Sequence, residues 1–325
     1  MGGMKEREFV LSKIAFLFPG QGSQSKGMLA ELIADEKVVS DTFAEASDLL
    51  GYDMKALVID DADGKLDQTE FTQPALLTAS TSLYRLWNAR GGVAASQMAG
   101  HSLGEYSALV AAGAIEFSDA VALVAFRGRC MSEAVPAGVG KMAAIIGLDD
   151  AVVIEVCEKS SVGDEQVWAA NFNCPGQLVI AGNAAAVEKA MDAAKEAGAK
   201  RALPLAVSAP SHTPLMQSAA DAMKAKLAGI TVSAPACPVW SNARAVTLSD
   251  AGDIRDALVE QLVSPVRWTE TVQKMAAEGV TTTIEMGPGK VLAGLVRRIE
   301  KEMSASSVLT SELMDRAIET AGVES

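Results

Sequence analysis

The feature that most constrains the fold is the pentapeptide Gly100-His101-Ser102-Leu103-Gly104, which lies between a short apolar run and a helix-forming segment. The run Gln97–Ala99 is typical of a buried strand, and Glu105–Ala112 can begin a helix. The glycines of the pentapeptide permit a tight turn from strand to helix that exposes the serine. This arrangement predicts an α/β protein with Ser102 as a candidate nucleophile.

Strand and helix patterns also alternate in the rest of residues 1–135 and 206–325, which we assign to one large α/β subdomain. A Gly91-Gly92 pair ends one of the predicted helices, and Gly287-Pro288-Gly289 follows one of the predicted strands. The predicted elements are the strand Ala15–Phe18, a helix from Thr72-Gln73-Pro74 to Trp87, the strand Thr281–Met286, a helix through Leu295 and a short helix at Glu312–Glu319.

Residues 136–205 have a different order of elements, strand–helix–strand–strand–helix–strand, and are predicted to form an inserted subdomain. This order is that of a ferredoxin-like unit. Asn173-Cys174-Pro175-Gly176 is predicted as the turn of its central hairpin, and Gly198 as the end of its second helix. The predicted elements are Met142–Ile146, Asp149–Lys159, Val167–Phe172, Leu178–Ala181, Ala184–Ala197 and Arg201–Leu205.

Composition excludes several classes of function. Acidic residues outnumber basic ones 41 to 28, for a net charge of −13, so nucleic acid is not an expected partner. No apolar stretch approaches the ~20 residues of a membrane span, so a soluble protein with no membrane partner is expected. The 4 cysteines are widely spaced and there are only 2 histidines, which argues against a zinc site or disulfides and favours a cytoplasmic location.

A serine nucleophile needs a base, and His101 and His212 are the candidates in this chain. His101 adjoins Ser102 on a sharp turn, where neighbouring side chains diverge. His212 lies in the segment Ser208–Pro214, at the start of a predicted helix. A lone histidine in a loop is more often a surface residue, but the presence of the serine turn favours His212 as the base.

Arg127 lies on the apolar face of a helix predicted at Asp119–Ala134, whereas Arg129 points to another face. A buried guanidinium needs an anionic partner. Sequence geometry leaves two interpretations open: a structural ion pair with an internal Asp or Glu, or a bidentate contact with a substrate carboxylate.

The loop Gly20-Gln21-Gly22-Ser23-Gln24-Ser25 contains half of a dinucleotide-binding fingerprint, but Ser25 occupies the third glycine position. A cofactor is therefore not expected. The alternative is that the loop brings a backbone N–H group and the side-chain amide of Gln21 or Gln24 towards Ser102, as an oxyanion donor.

Together these motifs resemble the malonyl-CoA:acyl carrier protein transacylases of bacterial fatty acid synthesis, from about Ile14 to Arg298. The resemblance implies an α/β-hydrolase-like large subdomain with a ferredoxin-like insertion. The motifs that carry it are Phe18-Pro19-Gly20-Gln21-Gly22-Ser23-Gln24, Gly100-His101-Ser102-Leu103-Gly104-Glu105, Arg127-Gly128, Ser208-Ala209-Pro210-Ser211-His212 and Glu285-Met286-Gly287-Pro288-Gly289.

The resemblance also implies a role for each matching residue. Ser102 would accept the acyl group, His212 would be the general base, and Arg127 would pair with the malonyl carboxylate. No cofactor, metal or triad aspartate is implied. The other implied residues are Gln21 and Leu103, whose backbone amides would form the oxyanion hole, and Gln261, whose backbone carbonyl would orient the histidine.

The implied reaction is a ping-pong transfer of malonyl from malonyl-CoA to the phosphopantetheine thiol of an acyl carrier protein. We expect a monomer, with Lys200 and Arg201 as a basic docking patch for the acidic carrier. Other basic residues could form this patch or simply be solvated: Lys195, Lys290, Arg297 and Arg298. The competing interpretations are a serine esterase or thioesterase, a carrier-docking protein without activity, and a transferase for another acyl group.

Overall fold

The computed structural model describes residues 13–207 and 209–324. Met1–Glu8, expected to be a short extension, and Ser208, in the histidine motif, lie outside the described residues. The strands are β1 Lys13–Phe18, β2 Gln97–Gly100, β3 Gly140–Ile146, β4 Val167–Cys174, β5 Gln177–Asn183, β6 Arg201–Pro204, β7 Val239–Trp240, β8 Thr247–Leu248, β9 Val280–Glu285 and β10 Ser304–Ser307.

Helices lie between most of these strands, and one 3₁₀ turn, Pro214–Met216, precedes α9. The helices are α1 Ala30–Asp35, α2 Lys37–Leu50, α3 Met54–Ile59, α4 Thr69–Ala89, α5 Gly104–Ala111, α6 Phe117–Glu133, α7 Asp150–Ser160, α8 Ala184–Glu196, α9 Gln217–Leu227, α10 Ala251–Val263, α11 Trp268–Ala277, α12 Val291–Ile299 and α13 Ser311–Glu324.

The larger sheet has six strands in the order β10-β9-β1-β2-β7-β8. Its first five strands are parallel, and only β8 runs antiparallel to its neighbour. Central strand β1 is buried from Ile14 to Phe18 because helices cover both faces of the sheet. The predicted α/β class is confirmed, and the turns after β1 and β2 lie side by side at the carboxyl edge of the sheet.

The smaller sheet has four antiparallel strands in the order β4-β5-β3-β6, all between Gly140 and Pro204. This is the ferredoxin-like order, with the two central strands coming from different halves of the unit. Helices α7 and α8 pack on one face around a separate apolar cluster that includes Ile145, Ile180 and Val187. The predicted βαββαβ insertion is therefore confirmed.

Three sequence predictions need correction. Helix α4 begins at Thr69 rather than near Pro74, since the backbone carbonyl of Gln68 already accepts hydrogen bonds from the first turn. The central hairpin turn is shorter than predicted, because β4 continues through Cys174. The tail contains strand β10 as well as a helix, because Ser304–Ser307 extends the larger sheet next to β9.

Strand β4 ties the two subdomains together at its carboxyl end. The backbone of Val266, in the large subdomain, exchanges hydrogen bonds with Ala170 and Phe172 at 2.9 Å. Arg298 of α12 also donates to the side chain of Gln177 at 2.5 Å. These contacts hold the small sheet over the carboxyl edge of the large one. Within the described ranges, no helix has the length and apolar character needed to cross a membrane.

Candidate active site

Ser102 occupies a strained turn between β2 and α5, with a φ of 51°. A left-handed conformation costs a non-glycine residue about 1 to 3 kcal/mol, so the surrounding structure must hold it. The flanking glycines are sterically required: a Cβ atom on Gly100 would lie 1.8 Å from the backbone of Gly104, and one on Gly104 would lie 1.9 Å from Phe18 O. The chain turns sharply at the serine because strand and helix approach this closely.

His212 lies beside Ser102, although 110 residues separate them in sequence. Its Nε2 atom is 2.8 Å from Ser102 Oγ, and its Nδ1 atom is 2.8 Å from the backbone oxygen of Gln261. A carbonyl can only accept, so Nδ1 carries the proton in the neutral ring and Nε2 is free to accept the serine proton. This is the tautomer that a general base requires.

The His212 ring is 3% exposed. Burial, followed by the positive charge of Arg127, lowers the pKa of His212 to about 3. The imidazole is therefore neutral at physiological pH, with Nε2 unprotonated. His101 points elsewhere: its Nε2 atom lies 2.8 Å from Asn173 Oδ1 at the end of β4.

Arg127 is buried on α6, with 1% of its surface exposed, and its Nη2 atom donates to Ser102 Oγ at 3.3 Å. Neutral amide oxygens hold the guanidinium: Nη1 donates to Gln73 Oε1 and Nη2 donates to Gln261 Oε1, both at 2.8 Å. Its Nε atom has no hydrogen-bond partner among the described residues. Of the two sequence interpretations, the internal ion pair is wrong, because no described carboxylate forms a salt bridge with Arg127. The guanidinium is thus available to an anion at the serine.

Glu105 is a buried acid in the first turn of α5, and no sequence pattern marks it as a site residue. Its Oε2 atom accepts a 2.7 Å hydrogen bond from Gln261 Nε2, so Gln261 lies between the acid and Arg127. Burial raises the pKa of Glu105 to about 7, against the lowering effect of the hydrogen bonds it accepts. Gln73 is likewise buried, and in the sequence it stands out only as part of a predicted helix start. No sequence signal relates either residue to Arg127.

The loop after β1 lies in the wall of the cavity at Ser102, but the expectation for its side-chain amides is wrong. Gln21 Nε2 donates to Thr69 Oγ1 at 3.3 Å, and Gln24 Nε2 donates to Asp67 Oδ1 at 2.8 Å. Both amides are therefore engaged away from Ser102. The backbone N–H groups of Gln21 and Leu103 have no acceptor in the described part of the chain, and both residues line the cavity at the serine.

A cavity of about 480 Å³ lies between the two subdomains, with Ser102, His212 and Arg127 in its wall. The small subdomain contributes Met142 and Asn171, and α12 contributes apolar residues such as Leu295. A cleft of this size accommodates an acyl group with part of a longer carrier chain.

Known proteins share the sequence and the fold of this chain. The profile of the acyl transferase domain family matches residues 15–317. Over 309 residues the chain is 54% identical to the malonyl CoA-acyl carrier protein transacylase of Escherichia coli strain K12, which covers 95% of this chain and 100% of that protein. The chain belongs to the malonyl-CoA:acyl carrier protein transacylase family. The sequence resemblance is thereby confirmed.

Solved structures of the family have the same fold. The transacylase of Coxiella burnetii superposes with a TM-score of 0.93 at 48% identity, covering 95% of this chain and 97% of that one. A malonyl-transacylase solved in complex with its type II PKS acyl-carrier protein also gives 0.93, at 52% identity and with coverage of 95% and 100%. The two-subdomain architecture is therefore that of the transacylase family.

Proposed function

We propose that this chain transfers the malonyl group of malonyl-CoA to the phosphopantetheine thiol of an acyl carrier protein, through an ester on Ser102, for fatty acid synthesis. The observation that carries this proposal is the buried guanidinium of Arg127, 3.3 Å from Ser102 Oγ and without an anionic partner in the described chain. A substrate carboxylate attached to the acyl group supplies that partner. A neutral acyl group does not.

In the proposed mechanism, His212 Nε2 takes the proton of Ser102 as Oγ attacks the thioester carbonyl carbon. The negative charge that develops on the carbonyl oxygen is stabilised by the backbone N–H groups of Gln21 and Leu103. The carbonyl of Gln261 keeps the His212 ring oriented while it carries the extra proton. That proton passes to the departing CoA thiolate, which leaves malonyl-Ser102.

The second half-reaction repeats these steps in reverse with another thiol. The carrier's thiol loses its proton to His212, attacks the ester carbonyl and releases Ser102, so the kinetics are ping-pong. An esterase would admit water at this step. The enclosed position of the ester, between the large subdomain and the small sheet at residues 136–205, supports transfer rather than hydrolysis.

Lys200 and Arg201 form the proposed docking patch for the acidic carrier. Both are exposed where β6 begins, while Leu205, directly after the end of that strand, lines the cavity. Arg201 and Leu205 are therefore about 13 Å apart along the chain at ~3.3 Å per residue. Arg297 and Arg298 are less available, because their guanidinium groups hold Ala305 O and Gln177 Oε1.

The location and the oligomeric state belong to the same proposal. Four free cysteines, none paired in a disulfide within the described residues, support a reducing cytoplasm. The monomeric state stays a prediction.

Intact-mass spectrometry tests the proposal. The chain is mixed with malonyl-CoA, and the expected result is one malonyl adduct on Ser102 that disappears when a phosphopantetheinylated carrier protein is added. Loss of the adduct at the same rate without the carrier would identify a hydrolase, and no adduct at all would refute the proposed function.

A further inference from the structure

Asn242 is a buried residue, 3% exposed, that contacts the nucleophile turn from the neighbouring strand. It follows β7, which runs parallel to β2, so it reaches the same edge of the sheet as the turn after β2. Asn242 Oδ1 accepts a 2.6 Å hydrogen bond from the backbone N–H of Ser102, and Asn242 Nδ2 donates a 2.6 Å bond to Gly100 O. The amide side chain therefore bridges the two sides of the turn.

These two bonds have the pattern of a parallel β-ladder. In such a ladder, one residue donates to the carbonyl that precedes the residue opposite it and accepts from the N–H that follows. The side-chain amide of Asn242 does both around His101, since it bonds to Gly100 and Ser102. It takes the place of a peptide group at a point where β7 has already ended.

We infer that Asn242 is a positioning residue of the transfer reaction, because it holds Ser102 in the left-handed conformation that presents Oγ to His212. The inference rests on the proposed function and deepens it. Serine has no intrinsic preference for this conformation, so it persists only where neighbouring groups fix it. The bond to Asn242 also occupies the N–H of Ser102, which leaves Leu103 as the oxyanion donor on this turn.

A second contact links Asn242 to the histidine. Glu105 Oε2 accepts from the backbone N–H of Asn242 at 3.1 Å and from Gln261 Nε2 at 2.7 Å. The backbone oxygen of Gln261 in turn holds His212 Nδ1 at 2.8 Å. One carboxylate oxygen thus fixes both the segment that holds the nucleophile and the segment that holds the base.

Asn242 is absent from the cavity wall, so its loss is expected to slow acylation without weakening malonyl-CoA binding. The test measures the single-turnover rate of acylation of Asn242→Ala. The adduct is monitored by intact-mass spectrometry over a range of malonyl-CoA concentrations. The maximal rate should fall about a hundredfold, as expected for a misplaced nucleophile, while the half-saturating concentration stays within about twofold.

Asn183→Ala is the matched control, because Asn183 Oδ1 also accepts a backbone hydrogen bond, from Gln166 N at 2.9 Å, but in the small subdomain. It should acylate at the wild-type rate. A wild-type maximal rate in Asn242→Ala, or an equal loss in both variants, would overturn the inference.

The pH dependence of acylation in Asn242→Asp is a second test of the inference. It decides the outcome if Asn242→Ala does not fold. A protonated Asp at this position can donate to Gly100 O as the amide does, whereas its carboxylate repels that oxygen. The acylation rate relative to wild type should therefore rise as pH falls from about 8 to about 5.5, since burial beside Glu105 favours the neutral acid. Glu105 and the arginines whose charges reach it, Arg127 and Arg244, are common to both proteins. A ratio that is flat or falls would overturn the inference.

Failure of the proposed function can be distinguished from failure of this inference by the wild-type chain. In that case the wild-type chain itself would form no malonyl adduct. The role of Asn242 would then be measured with a fluorophosphonate probe, which labels an activated serine without any acyl-CoA. Slower labelling of Asn242→Ala than of wild type and Asn183→Ala would support the inference, and equal labelling would overturn it.

Discussion

The Nη2 atom of Arg127 donates a 3.3 Å hydrogen bond to the Oγ atom of Ser102. Because Oγ also lies 2.8 Å from His212 Nε2, the hydroxyl donates its proton to the histidine and accepts from the arginine. A cation at this distance stabilises the charge that develops on Oγ as the proton leaves. It is also within reach of a carboxylate on an acyl group bound to Oγ. We therefore propose that this one residue serves both nucleophile activation and acyl selection.

Arg127→Ala is therefore expected to change which acyl group is transferred. A hydrogen bond to a charged group contributes about 1.5 to 3 kcal/mol, so malonyl-CoA turnover should fall about ten- to a hundredfold or more. Acetyl-CoA has no carboxylate to lose, and the variant removes a buried cation beside a neutral group, so acetyl turnover should stay level or rise. The measurement is kcat/KM for each acyl-CoA with the same carrier.

Two further variants control this experiment. Arg127→Lys should restore malonyl transfer only in part, because a single ammonium cannot make two parallel hydrogen bonds. Arg129→Ala, which removes an exposed arginine from the same helix, should leave both activities unchanged. Equal losses of malonyl and acetyl turnover in Arg127→Ala would mean that the arginine does not select the acyl group.

The roles of the two histidines and the serine are separated by substitution. Ser102→Ala should fold and form no malonyl adduct. His212→Ala should slow acylation about a hundredfold or more, because general base catalysis is lost. His101→Ala should have a smaller effect, since its ring bonds to Asn173 rather than to the serine. Acylation is quenched at set times and the adduct is measured by intact mass. A larger loss in His101→Ala than in His212→Ala would identify His101 as the base.

Patterns local in sequence predicted part of this site. The turn at Ser102 follows from two glycines between a strand and a helix, and the burial of Arg127 follows from its spacing on α6. The contact of His212 with Ser102 spans 110 residues. The choice of this histidine as the base rests on elimination among two, and the family resemblance implies the same role.

Other parts of the site could not be predicted. Asn242 contacts Ser102 because β7 lies next to β2, but β7 is only two residues long and has no recognisable period. Glu105 was quoted only as part of a motif, since nothing near it in sequence shows that its carboxylate meets Gln261. Helix α4 extends past its predicted start because the lost hydrogen bond of Pro74 is offset by tertiary packing of the buried residues around it.

The low pKa of His212, about 3, predicts a broad pH range of acylation. A histidine with an ordinary pKa near 6.5 would be mostly protonated at pH 5, and acylation would fall roughly 30-fold between about pH 8 and 5. We expect the rate to change far less, because burial and the positive charge of Arg127 oppose protonation of His212. Glu105 titrates in this interval, but its Oε1 atom, which has no partner among the described residues, can take the proton while Oε2 keeps accepting.

Stability should depend on the same histidine with a definite sign. Between about pH 3 and 6.5 the unfolded chain binds a proton at His212 that the native protein excludes, so this residue makes stability rise with pH, by at most about 1.4 kcal/mol per pH unit. At pH values below this window, the stability that the neutral His212 contributes at high pH is lost completely. Urea unfolding of wild type and His212→Ala across the window isolates the effect, since Glu105 contributes the opposite slope in both proteins. A constant difference between the two free energies of unfolding would contradict the lowered pKa.

The docking patch makes a prediction that involves only the second half-reaction. Lys200→Glu with Arg201→Glu should weaken transfer to the carrier, since charges at the edge of an interface mainly govern encounter with a charged partner, and the loss should shrink at high salt. Acylation by malonyl-CoA should be nearly unchanged, because neither residue lines the cavity. The charge-matched control is Lys37→Glu with Lys55→Glu, on exposed positions of α2 and α3. Each half-reaction is measured by stopped flow at two salt concentrations. An equal loss in both half-reactions would locate the defect in the active site. An equal loss of transfer in the control variant would mean that net charge, and not this patch, causes the effect.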